Sequence, residues 1–179
     1  DVYKRQVLGV NMPRLKLTAI DEGFTVVVSS RLLGADDPQL VQDAILKLFP
    51  DFTCGLPENP KFPSEQDDIL ASDNVSMQTF LELIHDQFIL DTALDYMSAN
   101  LDDNGTVFNI SRQAAMAGKV AFPLPGENPL GGLITIEIEG DNLGDWLEAA
   151  TWHSGRENIP RRIGDEFSML SDGDASTWH

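Results

Sequence analysis

Two cations that frame a run of small residues offer the clearest chemistry in this chain. Arg112 and Lys119 stand at either end of a segment made mostly of alanine and glycine, which follows a strand-like stretch. Guanidinium and ammonium groups neutralise phosphates, and an arginine can hold a phosphate in a bidentate contact. Neighbouring amides could add hydrogen bonds to sugar or base edges. The candidate RNA-binding residues are Arg112, Gln113, Lys119, Asn109 and Arg31.

A structural role competes for the same arginine. Arg112 directly follows the predicted strand, where an arginine could equally cap the strand end or pair with a nearby acid. Few other cations are available to a polyanion site. Between residues 12 and 150 they are Arg14, Lys16, Arg31, Lys47, Lys61, Arg112 and Lys119. If the early strands neighbour the later one, Arg31 could lie close to Arg112.

The overall charge opposes a nucleic-acid partner. The formal net charge is −17, from 12 Lys and Arg against 29 Asp and Glu. Such acidity favours solubility and repels polyanions at low salt. At about 1 M salt the Debye length shrinks to roughly 3 Å, so that only local contacts count. An acidic surface is also typical of halophilic proteins, so the charge can report a salty habitat rather than a partner.

No arrangement of residues indicates catalysis or metal binding. The three histidines lie far apart, and Cys54 is the only cysteine, which excludes an intrachain disulfide and a cysteine zinc cluster. Residues 100–105 match the start of a calcium loop, but Ser111 stands where the loop needs glutamate. Glycine-rich phosphate loops and nucleophile elbows are lacking. We therefore predict no enzyme activity, no cofactor and no metal site.

The first half of the chain predicts strands followed by a helix. Residues 14–20 and 24–30 alternate or are rich in β-branched residues, and they could form a hairpin. Asp37 and Pro38 have the types of an N-cap and a first helical residue, and the apolar stripe that follows ends at Pro50. Prolines and acids then predict a long irregular connection over 51–75, with a short strand near Phe52.

The second half predicts two helices, or one bent helix, and further strands. Helical periodicity begins after Ser76 and changes near residues 86–88. The remaining predicted elements are strands at 106–110, 120–122 and 133–139, a short helix at 112–118 and a helix at 142–152. The predicted class is α+β, with two layers in which helices pack on one face of a mostly antiparallel sheet.

We predict a single domain at residues 12–152 and interpret the two ends of the chain separately. Residues 1–6 look like translated sequencing adapter and Met12 is a plausible start, so we treat residues 1–11 as a non-native leader. The polar composition of 153–179 predicts a disordered tail. No apolar run is long enough to span a bilayer, and we expect a cytoplasmic protein with no membrane partner.

Three blocks of this sequence, in order, carry a family resemblance. They run from Val26 to Asp51, from Phe80 to Ala93, and from Phe108 to Ile138. Together they resemble the archaeal uncharacterised protein family two-zero-one. The resemblance implies an RNA-binding protein without enzyme activity, whose fold is similar to a large-subunit ribosomal protein that contacts five-S ribosomal RNA. One departure weakens that implication, because Leu94 stands where an arginine commonly follows the second block.

Two functions follow as hypotheses. The first is a non-enzymatic RNA-binding protein linked to ribosome or RNA processing, with a structured or ribosomal RNA as its partner. The alternative is a protein–protein interaction module of an acidic, halophile-like cytoplasm, in which the sheet or the C-terminal helix docks a partner or a second copy. A positive patch around Arg112 and Lys119 would favour the first, and an exposed apolar patch around Trp146 the second.

Overall fold

An antiparallel sheet of four strands forms the centre of the fold. The computed structural model describes residues 16–56, 68–124 and 126–165. Its strands are β1 (Thr25–Arg31), β2 (Ile69–Asp73), β3 (Gly105–Ser111) and β4 (Leu133–Glu139). Their order across the sheet is β2-β1-β4-β3, and every neighbouring pair is antiparallel. The two middle strands are therefore the first and last of the four in the chain.

Helices cover one face of this sheet. They are α1 (Pro38–Leu46), α2 (Gln78–Asp86), α3 (Leu90–Ser98), α4 (Arg112–Met116) and α5 (Leu143–Ala150), followed by a 3-10 helix (Ser154–Glu157). The predicted α+β class is confirmed. None of the helices in the described ranges is long and apolar enough to cross a bilayer.

The core lies between the helices and the inward-facing strand residues. Strand alternation buries Val26 and Val28 of β1, as expected for a half-buried strand. Phe80 of α2 contacts Phe49 and Phe108, with ring centroids 5.9 and 6.0 Å apart. Aromatic contacts of this kind join the helical layer to the sheet.

The predicted start of the first helix and the predicted break at 86–88 are confirmed, whereas α1 ends at Leu46, before the predicted end at Pro50. The Asp37 carboxylate accepts a hydrogen bond from the Gln39 backbone N–H at 2.9 Å, which caps α1. The predicted break at 86–88 separates α2 from α3. Phe88 turns the chain there with a left-handed φ of 57°. Because that φ is rare for a residue with a Cβ, the turn at Phe88 carries backbone strain.

Three short strand predictions were wrong. The described part of 14–20 is a turn, in which the Glu22 carboxylate accepts from the Ala19 N–H at 2.6 Å, so no hairpin precedes β1. Residues 52–54 and 120–122 are also irregular. Conversely, β2 lies within the predicted irregular connection. It was missed because hydropathy does not alternate along it, since Ile69 is exposed whereas Ser72 is buried.

The described fold continues beyond Trp152, where the predicted domain ended. Arg156 of the 3-10 helix is buried against α3, and Ile163 packs on the core. The predicted disordered tail is therefore wrong for residues 153–165. Their polar composition misled the prediction because their arginines have acidic partners elsewhere in the fold. Residues 166–179 and the interpreted leader, 1–11, lie outside the described residues.

Candidate functional site

Arg112 is a buried residue with an exposure of only 5%. Its Nη2 lies 2.6 Å from the Asp36 carboxylate. Nη1 donates to the Arg31 carbonyl at 3.1 Å and to the Ser30 hydroxyl at 3.3 Å, and Nε donates to the Gly131 carbonyl. The expectation that Arg112 contacts RNA directly is corrected, because its donors are used inside the protein. The competing interpretation, an arginine paired with a nearby acid, describes its geometry.

The turn before β4 is shaped to receive this guanidinium. Gly132 has a φ of +81°, and a Cβ there would lie 2.7 Å from Nη2 of Arg112. The Arg112 backbone N–H also donates to the Gly132 carbonyl at 3.2 Å. A residue without a side chain is thus needed for both conformation and space. Through these contacts Arg112 positions the end of β1, the loop that carries Asp36 and the turn before β4.

Three exposed cations lie around the buried one. Arg31 is the exposed last residue of β1, and its carbonyl accepts from Arg112. Lys47 follows α1, and its Nζ donates to the carbonyl of Met116 at the end of α4. Lys119 is exposed just after α4. We call Arg31, Lys47, Arg112 and Lys119 the cationic end.

An exposed aromatic side chain lies in a turn that is bonded to the segment after α4. The side chain of Gln87 accepts from the Val120 N–H and donates to the Val120 carbonyl, both at 2.8 Å. These two bonds join the turn of Phe88 to the segment that contains Lys119. Phe88 is 91% exposed. Sequence reasoning did not select Phe88, and the change of helical period at 86–88 was its only signal.

The two predicted amides are also at the surface. Gln113 is exposed at the start of α4. Asn109 lies on the outer face of β3, where its Oδ1 accepts from the Thr135 hydroxyl at 2.7 Å. This bond orients the Asn109 NH₂ group away from Thr135. The structure therefore brings Arg31, Asn109, Gln113 and Lys119 to one end of the molecule, with Arg112 beneath them.

The sheet face opposite the helices is a second surface, which no described helix covers. Its middle row of neighbouring short side chains consists of Ala71, Ser29, Thr135 and Asn109. The next row alternates acidic and apolar residues and consists of Asp73, Val27, Glu137 and Val107. We call this surface, which also includes Arg31, Ile69, Leu133 and Glu139, the open face.

An acidic cleft of about 690 Å³ lies at the far end of the open face. Its lining includes Asp102, Asp103, Glu139 and Asp141. Asp102 accepts from the backbone N–H of the following turn, whereas the other three have no ion pair or side-chain hydrogen bond with a described residue. In the described part of the chain, no three potential ligands are arranged to hold a metal ion. These carboxylates lie at the opposite end of β1 from Arg31.

The C-terminal cations serve a different purpose. The Arg156 Nε lies 2.9 Å from the Asp91 carboxylate, and His153 Nε2 lies 3.2 Å from it. Partial burial would raise the pKa of Asp91, but hydrogen bonds and positive charge from Arg156 and His153 lower it overall. Arg161 pairs with Asp95, whose hydrogen bond raises the pKa of that guanidinium. These pairs fasten the last described segment to α3.

The fold and its two surfaces define an α+β protein in which one end is cationic and the uncovered sheet face is partly acidic. Over 132 residues the chain is 33% identical to a UPF0201 protein of Sulfurisphaera tokodaii, covering 70% of this chain and 88% of that one. Over 142 residues it is 29% identical to a UPF0201 protein of Methanothermobacter thermautotrophicus, covering 78% and 98%. The chain belongs to the UPF0201 family, which confirms the family resemblance of the three sequence blocks.

A solved structure supports the fold. The crystal structure of a UPF0201 protein from Methanococcus jannaschii aligns with a TM-score of 0.60 at 24% identity. The alignment covers 73% of this chain and 96% of that one. No family model matches the sequence. The arrangement of strands and helices is therefore similar in the two proteins.

Proposed function

We propose that this protein binds RNA, without catalysing a reaction on it, through the cationic end. The observation that carries the proposal is that Arg31, Lys47 and Lys119 are each joined by a hydrogen bond to Arg112 or α4. The turn that carries the exposed ring of Phe88 is bonded to the segment after α4. The three cations are a quarter of the 12 Lys and Arg in a chain whose formal net charge is −17. The exposed cations neutralise phosphates, and the ring stacks on a base.

The exposed ring of Phe88 favours RNA that contains unpaired bases. Bases inside an A-form duplex are stacked and out of reach, whereas unpaired bases in loops, bulges and ends can stack on a protein ring. Such stacking contributes about 1–3 kcal/mol per base. Asn109 and Gln113 supply amide groups that can pair with base edges or sugars. The proposed ligand is a structured RNA with at least one unpaired nucleotide.

Arg112 acts in this proposal as a positioning residue. Its charge is compensated by Asp36, at 2.6 Å, and its side chain holds the Arg31 carbonyl and the turn before β4. It therefore fixes the backbone from which Arg31 projects. Its loss would weaken RNA binding by moving the exposed cations rather than by removing a phosphate contact.

Distance and salt limit the repulsion from the acidic cleft. Strand β1 has seven residues, and a strand of that length spans roughly 20 Å. At physiological ionic strength the Debye length is about 8 Å, so charges at the two ends of the strand are largely screened from each other. The cationic end can therefore attract phosphates although the whole chain is acidic.

The test is binding of a fluorescent RNA hairpin with an unpaired loop, measured by anisotropy from about 0.05 to about 1 M salt. Lys47→Glu/Lys119→Glu is expected to weaken binding at least tenfold, because two attractions become repulsions. Lys16→Glu/Arg162→Glu is the matched control, since it makes the same change in net charge at two exposed cations outside the cationic end. Equal losses in both variants, or no binding at any salt, would refute the proposal.

A further inference from the structure

The open face combines apolar side chains with short ones in a way that suits a docked element. Ile69 and Val107 are 58% and 41% exposed, and Val27 and Leu133 are half-buried. The row of short side chains lies between them, so the surface forms a shallow groove along its middle. A helix with its side chains is about 10 Å across and can lie along such a row, with the apolar residues on either side of it.

The charges of this face indicate the chemistry of its occupant. Asp73, Glu137 and Glu139 stand on it against a single cation, Arg31. None of the three carboxylates has an ion pair or side-chain hydrogen bond with a described residue. The acidic cleft adds further carboxylates beyond the ends of the strands. An occupant with basic side chains would provide the missing partners.

We infer that the open face docks an amphipathic helix of another protein, whose apolar side faces the sheet and whose flanking side chains are lysine or arginine. This inference does not rest on the RNA proposal. Arg31 and Asn109 border both surfaces, but the residues that decide the docking are Val27, Val107, Glu137 and Glu139. The apolar side chains supply contact area, and the carboxylates decide which helices are accepted.

A second copy of this chain is a poorer occupant. Two open faces in contact would bring unpaired carboxylates of both copies together, which is repulsive. The face measures roughly 14 by 20 Å, from the spacing and length of its strands, which suits one helix about 10 Å across better than the face of a whole domain. RNA is disfavoured too, because the acidic row repels phosphates.

Two synthetic peptides test the inference on the full chain. Both are helical peptides of about 18 residues with the same leucine and alanine side, and their other positions carry lysine in one and glutamate in its twin. Amide chemical shifts locate the binding site, and a titration gives the affinity. We expect the lysine peptide to bind and to shift the amides of Val27, Thr135 and Glu137, and the glutamate peptide not to bind.

Charge reversal provides the matched variants. Glu137→Lys/Glu139→Lys should weaken binding of the lysine peptide about tenfold. Asp145→Lys/Glu157→Lys, with the same change in net charge at exposed carboxylates of α5 and the 3-10 helix, should change it less than twofold. Circular dichroism checks that each variant is folded. RNA binding of the Glu137→Lys/Glu139→Lys protein should not fall, so that failure of one proposal is distinguishable from failure of the other.

Several outcomes would overturn the inference. They are an absence of lysine-peptide binding, equal binding of both peptides, shifts confined to the helices, and equal losses in the two charge-reversed proteins. A dimer in sedimentation that Glu137→Lys/Glu139→Lys abolishes would assign the face to a second copy. Contacts from residues 1–15, 57–67 or 166–179 to Val107 in the free chain would assign it to the chain itself.

Discussion

Arg112 and Arg156 are both buried arginines paired with an aspartate, yet they hold different parts of the molecule. Arg112 lies beneath the cationic end and pairs with Asp36, whose side chain is 22% exposed. Arg156 joins the C-terminal segment to α3 through Asp91, whose side chain is 45% exposed. The first pair supports the candidate site from inside, whereas the second fastens a segment at the surface. The burial of each arginine therefore shows which segments of the fold it joins, and does not by itself indicate a ligand.

The largest effect is expected for Arg112→Ala. Removing the guanidinium leaves a partly buried carboxylate and several carbonyls without their donor, which should lower the free energy of unfolding by about 3 kcal/mol. Urea denaturation measures this change. Arg112→Lys should recover less than half of it, since an ammonium cannot reproduce the planar fork. Arg162→Ala, at an exposed arginine, is the control and should cost less than about 0.5 kcal/mol.

Arg156→Ala should have a smaller effect that is confined to the C-terminal segment. It removes hydrogen bonds to Asp91, Thr151 and the carbonyls of Leu90 and Glu148. A loss of about 2 kcal/mol is expected, in the range for hydrogen bonds to charged groups. Hydrogen exchange should accelerate in residues 151–165 and stay unchanged in β1 and β4. Acceleration across the whole sheet would show that the two arginines do not differ as described.

Alanine substitutions at two glycines distinguish the cost of a positive φ from the cost of crowding Arg112. Gly132→Ala introduces a Cβ 2.7 Å from the guanidinium and should cost about 2 kcal/mol. Gly118 also has a positive φ, +67°, but a Cβ there would meet nothing within 4 Å. Gly118→Ala should therefore cost only about 1 kcal/mol. Equal values in thermal or urea unfolding would mean that Arg112 moves aside freely.

Lowering the pH should weaken the ion pair between Arg156 and Asp91. The pKa of Asp91 is lowered in the folded protein, so its stabilising contribution is present at neutral pH. That contribution is lost as the pH falls through the folded-state pKa, below the usual range of an aspartate. Hydrogen exchange in residues 151–165 should rise over this acidic range. Asp91→Asn should show fast exchange already at neutral pH, and an unchanged pH profile in that variant would contradict the assignment.

The smallest effect on stability is expected at Phe88. Asparagine tolerates a left-handed φ better than phenylalanine, so Phe88→Asn should raise the free energy of unfolding by about 0.5 kcal/mol. The same change should weaken binding of a loop RNA and leave binding of a duplex RNA unaltered. Phe88→Tyr, which keeps the ring, is the control for stacking. A loss of duplex binding in Phe88→Asn would indicate a general disturbance of the cationic end.

Local patterns predicted much of this fold. The Asp37 cap, the break at 86–88 and the alternation of β1 and β4 all follow from neighbouring residues, and each is confirmed. The burial of Arg112 could not be predicted from its neighbours in the sequence. Its acidic partner, Asp36, lies 76 positions away, and only the folded chain brings the two together.

The C-terminal segment shows the same limit of local patterns. Arg156 and Asp91 are 65 positions apart, so the segment looks polar and unpartnered in the sequence. Trp146 is a further instance. Its ring is fully buried beside Phe24, with its indole N–H donating to Glu22 at 3.2 Å. Trp146 therefore packs in the core and forms no exposed apolar patch, the feature that would have favoured the interaction module. In each of these places a long-range contact decides what a side chain does.

The pairing of β1 with β4 also bears on how the chain is made. The Ser30 hydroxyl donates to the Leu133 carbonyl across 103 positions of sequence. At a synthesis rate of about 5–20 residues per second, β1 emerges roughly 5–20 s before its central partner. During that interval its edge is free to pair with other nascent chains. Mutual repulsion between strongly acidic chains opposes such pairing, and the negative charge thereby protects the protein before it has folded.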